Sequence, residues 1–419
     1  MSTALLVIVI LTALIGAAIL VGAGLLAGPA PTPTLGSVTL CAGGTRLADI
    51  RDTSVPGNTS PHWVASRFPP SGERRAGRIA VVVRPPGGPV QVQLIDPATS
   101  ASCLLVELPY SPTEVSMQWS PASDALAIIT GSAGVGQVYI WSALGTTHAM
   151  LTGSGGTVSW APDASLLAVG ETKLWTLAAD ASPPVELLCP PPPPSSAPTC
   201  PFGPTLLWSP DGARIATSLG DRGWQFGIVS LADRVARPVD IGSNPLDTYP
   251  VAWLDDNTLL AIQCPACGGG PADQPDVLLE VPLDLPSAYR VRRTLPSQWA
   301  NVVSPDRSLA VVSPDRVDLR VMDLATGVQT DVFNAARFGA GVVADPLDWS
   351  PDSRSFAFQV GRESGQTYTT VGLWVVNSDG TGLRQLTAGD AINALGPQGI
   401  AWQSAWAGPG GDTGAPPTR

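Results

Sequence analysis

The sequence predicts an all-β fold: a seven-bladed β-propeller preceded by one N-terminal transmembrane helix. The first observation is a tryptophan-led turn that recurs at intervals from 41 residues (Trp119 to Trp160) to 53 residues (Trp349 to Trp402). Repeats of roughly 40 to 50 residues with several short strands each are typical of propeller blades. The second is the composition, with 44 glycines, 43 prolines and only 14% charged residues. This balance indicates many tight turns between short apolar strands.

The third observation is an uncharged apolar segment at residues 4–27, in which Thr12 is the one clearly polar side chain. About 20 such residues cross the roughly 30 Å hydrocarbon layer of a membrane. We therefore expect residues 1–28 to be an uncleaved signal anchor. The alternative is secretion after signal cleavage, but signal peptides usually have an apolar core of about 7 to 15 residues behind a basic stretch. Residues 1–3 contain no Lys or Arg.

The orientation of the anchor follows from two opposing signals. The first basic residues after the span, Arg46 and Arg51, favour the cytoplasmic side for the domain. The cysteine content favours export, and we expect the propeller to lie outside the cytoplasm. Residues 29–77 then form a Pro-rich linker and an irregular N-terminal extension, because Pro-rich segments adopt stiff polyproline II structure.

An even number of cysteines in an exported domain favours disulfides. Pairing close neighbours gives one of 15 possible connectivities, in which Cys41 is left for Cys103. The Cys264-Pro-Ala-Cys267 motif has two alternatives. A redox pair normally opens a helix, which the Gly-Gly-Gly-Pro that follows cannot start, and a zinc site would need two further ligands. The six candidates for disulfides are Cys41, Cys103, Cys189, Cys200, Cys264 and Cys267.

Each repeat has the same order of strands: one that ends in Trp, a turn, an apolar second strand, a third and a short fourth. In the third repeat these strands are predicted at residues 205–208, 214–218, 225–231 and 237–241. In the sixth they are predicted at 346–349, 355–360, 370–377 and 383–387. In the Ser-Pro-Asp turn, Pro presets φ near −65° and Asp hydrogen-bonds to the backbone that follows it. We therefore interpret these Asp residues as turn formers, and the Trp residues as buried between blades.

The two ends of the propeller complete one blade. Residues 399–403 form one strand without partners after it, and three strands without a Trp turn precede the first repeat, at 78–84, 90–96 and 104–108. One strand plus three gives the seventh blade and closes the ring, which removes open sheet edges. The propeller is thus predicted at residues 78–407, with a disordered tail at 408–419.

The sixth repeat resembles a known family. Its sequence, with Trp349-Ser-Pro-Asp352, Ser355-Phe-Ala-Phe358, Leu373-Trp-Val-Val-Asn-Ser-Asp-Gly380 and Leu383-Arg-Gln-Leu-Thr387, is similar to a full repeat of the TolB-like, WD40-like (PD40-type) β-propellers. The resemblance covers about residues 78 to 404. Val303, which stands where the other repeats have Trp, departs from the pattern. The family also includes propellers fused to hydrolases, but the G-x-S-x-G elbow of those enzymes is missing here.

The net charge of −11 and the pI near 4.6 argue against a nucleic-acid partner. We expect a non-catalytic module for protein or ligand binding and assembly, with no cofactor. His62 in a loop and His148 at a strand edge are expected to be structural or solvent-facing. The alternative is a small lactonase-like propeller hydrolase with a metal over the central channel, for which Asp247, Asp345 and Asn393 are candidates.

We expect binding on one face of the ring. Loops that join second to third strands, and fourth strands to the next blade, open on the same side, here called the loop face. The long loops are of these two kinds, at residues 189–204, 220–224, 264–276, 334–345, 361–368 and 388–397. Long loops on a rigid scaffold are where function is usually placed. The candidate binding residues in this set, of types common at interfaces, are Arg222, Trp224, Arg362, Glu363 and Tyr368.

Overall fold

The computed structural model describes residues 40–45, 62–63 and most of 77–402, all within the compact unit Thr39–Arg419. No helix among these residues is long and apolar enough to span a membrane, and the predicted anchor at 4–27 lies outside them. The gaps within the last range are residues 86–87, 109–113, 122–124, 133–134, 143–144, 153–155, 171–173, 179–184, 188–201, 220–224, 243–247, 266–273, 297–301, 316, 365–366 and 389–399.

Seven sheets, each built on four antiparallel strands, form the blades and confirm the predicted propeller. We number the blades around the ring, starting with the one that joins both ends of the chain. From the innermost strand outward, blade 2 contains Glu114–Trp119, Ala125–Ser132, Val135–Ser142 and Gly145–Thr152. Blade 3 contains Thr157–Trp160, Leu166–Gly170, Leu174–Ala178 and Val185–Leu187. Blade 4 contains Phe202–Trp208, Arg214–Leu219, Gln225–Ser230 and Val235–Pro238.

Blades 5 to 7 follow the same plan. Short 3-10 helices at Pro286–Ala288 and Ala335–Phe338 lie between strands. From the innermost strand outward, blade 5 contains Thr248–Asp255, Thr258–Gln263, Asp276–Pro282 and Arg290–Leu295. Blade 6 contains Val302–Val303, Leu309–Val312, Leu319–Asp323 and Gln329–Phe333. Blade 7 contains Val342–Trp349, Ser355–Ser364, Thr367–Asn377 and Arg384–Ala388.

Blade 1 closes the ring in the way the sequence predicts. Its innermost strand, Ile400–Trp402, comes from the C-terminal end and pairs with Ile79–Val83, with Ile79 opposite Trp402. Gln91–Ile95 and Ser102–Glu107 complete the four strands. Innermost strands of neighbouring blades contact each other all the way around, including Ile400–Trp402 against its neighbours in blades 2 and 7. The ring therefore has no open seam.

Apolar side chains pack between neighbouring blades. Blades 6 and 7, for example, share a cluster in which Val311 and Leu319 lie with Trp349, Phe356 and Phe358, all at most 2% exposed. Strands with apolar residues on both faces are expected in this arrangement, because each blade is covered by a neighbour on either side. The seams between blades thus form the core of the molecule.

The N-terminal extension is more regular than expected. Leu40–Thr45 pairs in parallel with Ser102–Glu107 and becomes the outermost strand of blade 1. His62–Trp63 pairs with blade 2, where His62 lies opposite Met150, so the prediction that His62 is in a loop is wrong. His148 lies opposite Tyr139 within the fourth strand of the same blade. Both added strands cover sheet edges whose backbone groups would otherwise be unpaired.

Cys41 and Cys103 form a disulfide, as the pairing of local neighbours predicted. Their Cα atoms are 5.1 Å apart, and the bond joins the added parallel strand to the strand beside it. Cys264, which is buried, is also disulfide-bonded. The other candidates, Cys189, Cys200 and Cys267, lie outside the described residues.

Candidate functional site

The predicted loop at residues 361–368 in blade 7 is a β-hairpin. The second and third strands, which we expected to stop at residue 360 and to resume at 370, continue to Ser364 and from Thr367. Glu363 pairs with Tyr368, and a β-bulge at Val360 and Gly361 shifts the register. A bulge increases local twist and bends a strand, and the ladder continues beyond it to Ser364 and Thr367.

The base of this hairpin is held by the segment that enters blade 7. Glu363 donates its backbone N–H to the Gly341 carbonyl at 2.8 Å, and the Arg362 guanidinium donates to the Phe338 carbonyl at 3.4 Å. Gly341 has φ +73°, and a Cβ there would lie 2.7 Å from the Glu363 carbonyl oxygen, so only glycine fits. Arg362 and Glu363 therefore stand on a braced ribbon with both side chains exposed.

Two of the remaining candidates on the loop face belong to another blade. Arg222 and Trp224 lie outside the described residues, in the segment that joins Leu219 to Gln225 of blade 4. Blades 5 and 6 stand between blades 4 and 7 on the shorter way around the ring. The predicted set is thus divided between two separate blades. The predicted role of these residues in binding stays a prediction.

The opposite side of the ring, here called the turn face, carries the Ser-Pro-Asp turns. The interpretation of their Asp residues as turn formers is confirmed. In blade 7 the Asp352 carboxylate accepts hydrogen bonds from the Ser350 hydroxyl at 2.6 Å and from the Arg354 N–H at 3.1 Å. The Ser350 hydroxyl oxygen in turn accepts from the Ser355 N–H at 2.9 Å. This use of Ser to fasten the start of the second strand was not predicted.

These hydrogen bonds favour the ionised carboxylates. The Ser165 N–H lowers the pKa of Asp163, and the Ser209 hydroxyl lowers that of Asp211. Burial acts to raise the pKa of Asp306, but hydrogen bonds from serine side chains and backbone outweigh it, so this pKa is also lowered. Stabilising the charged form in this way fits a structural role.

Neighbouring turns are linked to each other. The Asp211 N–H donates to the Asp256 carboxylate of blade 5 at 2.9 Å, and the Asp306 N–H donates to the Ser353 hydroxyl of blade 7 at 3.1 Å. Arg214 donates to the Asp256 carbonyl and lies over the Trp253 ring at 5.4 Å. On the turn face, side-chain hydrogen bonds therefore join blade 4 to blade 5 and blade 6 to blade 7.

The repeated tryptophans also join the blades. Trp160, Trp208, Trp253 and Trp349 are between 2% and 8% exposed, and in these four the indole N–H donates to a carbonyl on the innermost strand of the preceding blade. The acceptor in each case is the residue before that blade's own Trp or its replacement. The four bonds are Trp160 to Gln118 at 3.1 Å, and Trp208 to Ser159, Trp253 to Leu207 and Trp349 to Val302, each at 2.9 Å. Burial between blades was predicted, whereas these hydrogen bonds were not.

A cavity of about 430 Å³ opens at the turn face, at the end of the central channel. Residues from blades 2 to 7 line it. Its walls are polar and apolar in nearly equal parts: Trp and Pro residues of the repeated turns line it together with Gln118, Arg307 and Asp348. Asp348 already interacts within the protein. The sequence did not indicate this cavity, because its residues come from six different repeats.

The metal candidates of the hydrolase alternative are only partly described. Asp345 lies opposite Gln359 in blade 7 and interacts within the protein. Asp247 and Asn393 lie outside the described residues. Within the part of the chain that the structure describes, no three His, Cys, Asp or Glu side chains are grouped so that they could hold a metal ion.

Comparison with known proteins gives similarity in fold. No protein-family model and no curated protein sequence matches the chain. The propeller is structurally similar to TolB from Acinetobacter baumannii, with 13% identity over 78% of this chain and 67% of that one and a TM-score of 0.44. An oligogalacturonate lyase in complex with manganese shares 12% identity over 78% of this chain and 90% of the lyase, with a TM-score of 0.48. The dihydro-heme d1 dehydrogenase NirN in complex with DHE shares 14% identity over 81% of this chain and 81% of the dehydrogenase, with a TM-score of 0.45.

Proposed function

We propose that this chain is a non-catalytic binding module, held on the outer side of a membrane by residues 4–27, that docks a protein partner on its loop face. The observation that carries the proposal is the braced hairpin of blade 7, on which the consecutive strand residues Arg362 and Glu363 are both exposed. A surface that is rigid before binding loses little conformational entropy when a partner docks. Long loops elsewhere on the same face would extend the contact.

Export is supported by the disulfide between Cys41 and Cys103 and by the bonded state of Cys264. Disulfides persist in oxidising compartments and are rare in the cytosol. Thiol labelling of the full-length protein, denatured without a reducing agent, tests this part. We expect Cys41, Cys103 and Cys264 to be protected. Labelling of all six cysteines in protein taken from its native membrane would contradict export.

A non-catalytic role is supported by the carboxylates of the turn face. Asp163, Asp211, Asp306 and Asp352 accept hydrogen bonds within their own turns, and their geometry is that of turn formation. These residues are exposed, but a general acid or base must exchange a proton with the substrate near the working pH, whereas the turn hydrogen bonds lower the pKa of Asp163, Asp211 and Asp306. These carboxylates are fully accounted for by the fold.

Docking on the loop face is tested by exchanging two charges. The double variant Arg362→Glu with Glu363→Arg keeps the net charge and exchanges the positions of the positive and the negative side chain. A second double variant, Trp224→Ala with Tyr368→Ala, removes two aromatic side chains. We expect each pair to weaken recovery of the partner from native membranes at least tenfold, which corresponds to about 1.4 kcal/mol. The matched control is Arg354→Ala on the turn face. Loss of the partner with this control alone would overturn the proposed docking face.

A further inference from the structure

Blade 6 departs from the repeat at two positions, and both line the cavity at the turn face. Val303 takes the place of the tryptophan, and Arg307 occupies the fourth position of the turn. The equivalent positions in blades 3, 4 and 7 hold small residues: Ala164, Gly212 and Ser353. The other residues of the blade 6 turn, Ser304-Pro-Asp306, keep the repeat sequence. The departures are therefore confined to the side chains that reach the cavity.

The replacement of Trp by Val leaves space. Trp160, Trp208, Trp253 and Trp349 also line the cavity, although they are only 2% to 8% exposed. Each of those rings fills the seam to the preceding blade and donates its N–H there. At blade 6 a branched three-carbon side chain stands in the position of a two-ring system. The missing ring would belong to the seam between blades 5 and 6, and Val303 lines the cavity beside that seam.

Arg307 brings a positive charge to the space. Its backbone has φ +62°, which its small equivalents in the repeat share but which a side chain as large as Arg rarely adopts. Within the described residues its guanidinium makes no hydrogen bond and no ion pair, although its charge helps to lower the pKa of Asp255, mainly lowered by the Asn257 N–H. A charged group held beside a cavity in an unusual backbone conformation is a reason to look for function there.

Gln118 supplies a second donor from blade 2. Its side-chain oxygen accepts a hydrogen bond from the backbone N–H of Trp160 at 2.6 Å, which fixes the amide at the cavity wall. The amide nitrogen has no hydrogen-bond partner among the described residues. The cavity thus combines a wall that is about half apolar with a guanidinium and an amide N–H₂, and both of these groups donate hydrogen bonds. Asp348 is already engaged and Asp255 is held by its own turn.

We propose that the turn-face end of the channel binds a small organic carboxylate with a flat apolar body, with Arg307 as the partner of the carboxylate. A guanidinium matches a carboxylate with two parallel hydrogen bonds, and the apolar half of the wall matches the apolar body. The volume of about 430 Å³ suits a ligand of the size of an acylated aromatic amino acid. This site lies on the face opposite the proposed protein-docking face and does not depend on it.

The test uses the full-length protein, with N-acetyl-L-tryptophan as the carboxylate probe and L-tryptophanamide as a cation with the same ring. Isothermal titration calorimetry is expected to show saturable binding of the first probe only. Arg307→Gln should weaken binding at least tenfold and Arg307→Lys less, since both keep an unbranched side chain at the same φ. Arg354→Gln, which removes an exposed Arg from the adjacent turn, should leave the affinity unchanged.

Two further variants separate binding from folding. Val303→Trp, which puts an indole at the seam beside the cavity, should weaken binding at least tenfold without a change in charge. Arg307→Gly should raise the melting temperature, because glycine adopts positive φ freely, and should still lose the ligand. Equal affinity in wild type and Arg307→Gln, equal binding of both probes, or no saturable binding of the carboxylate at millimolar concentration would each overturn the proposal.

Discussion

Trp349→Ala is expected to open the seam between blades 6 and 7. The indole is 2% exposed, lies 5.3 Å from the Phe356 ring, and donates to the Val302 carbonyl at 2.9 Å. Truncation of a buried aromatic residue to Ala costs about 3 to 5 kcal/mol. The carbonyl also loses its donor, and a net hydrogen bond is worth about 1 kcal/mol. We therefore expect Trp349→Ala to lower the free energy of unfolding by an amount near the upper end of this range.

Two further variants separate the contribution of the buried ring from those of the indole hydrogen bond and the turn. Trp349→Phe keeps most of the apolar ring and removes the donor, so about 1 to 2 kcal/mol should be lost. Asp352→Ala removes only the carboxylate that holds the turn, at a cost of about 1 kcal/mol. The loss of stability should be largest for Trp349→Ala, smaller for Trp349→Phe and smallest for Asp352→Ala, with the first well separated from the others.

The assay is thermal unfolding followed by far-ultraviolet circular dichroism, since tryptophan fluorescence would change with the substitution itself. In a domain larger than 150 residues, 1 kcal/mol moves the melting temperature by about 2 to 4 °C. Trp349→Ala should then melt roughly 8 to 20 °C below wild type. Equal melting temperatures for Trp349→Ala and Asp352→Ala would refute the view that the indoles seal the blades.

Three further outcomes follow from the structure. Gly227→Ala should lower the melting temperature, because a Cβ there would lie 2.8 Å from the Arg237 carbonyl oxygen and would meet Leu219. Cys103→Ser should cost about 4 kcal/mol in denaturant melts, as the chain-entropy model gives for a separation of 62 residues; an unchanged midpoint would contradict this, because the bond would then not constrain the unfolded chain. Stability should fall with pH below about 3.8, since Asp163, Asp211 and Asp306 have lowered pKa values in the folded state. Their contribution is complete above the unfolded value and is lost as pH falls through the folded values. A pH series of melting temperatures for wild type and Asp306→Asn checks this, and identical slopes would contradict it.

The regular part of the fold was predictable because each blade repeats one local pattern. The strand predicted at 205–208 is found as Phe202–Trp208, and the one predicted at 214–218 as Arg214–Leu219. Ring closure was predictable as well, since an unpaired strand at one end matched three strands at the other. Alternation and turn residues act over a few positions, so they are readable from one sequence.

The unpredicted features depend on partners distant in the chain. Leu40–Thr45 has the sequence LCAGGT, which carries no alternating pattern, and it is a strand because an edge of blade 1 is available to it. The hairpin of blade 7 continues because the segment at Gly341 braces it. The bonds of the indoles join residues that are 42 to 49 positions apart. Candidate sites on the loop face followed loop length, whereas the cavity arises from the convergence of six blades.

The disulfide-locked strand Leu40–Thr45 also determines how the protein responds to mechanical force. Tension applied to the chain before Leu40 passes through the bond from Cys41 to Cys103 into the outermost part of blade 1. The intervening chain, which includes Ile79–Val83 and its pairing with Ile400–Trp402, is bypassed by this covalent route. A pull from that end therefore strains the rim of one blade and spares the contact that closes the ring. Reduction of the bond would redirect the same pull onto the closure itself.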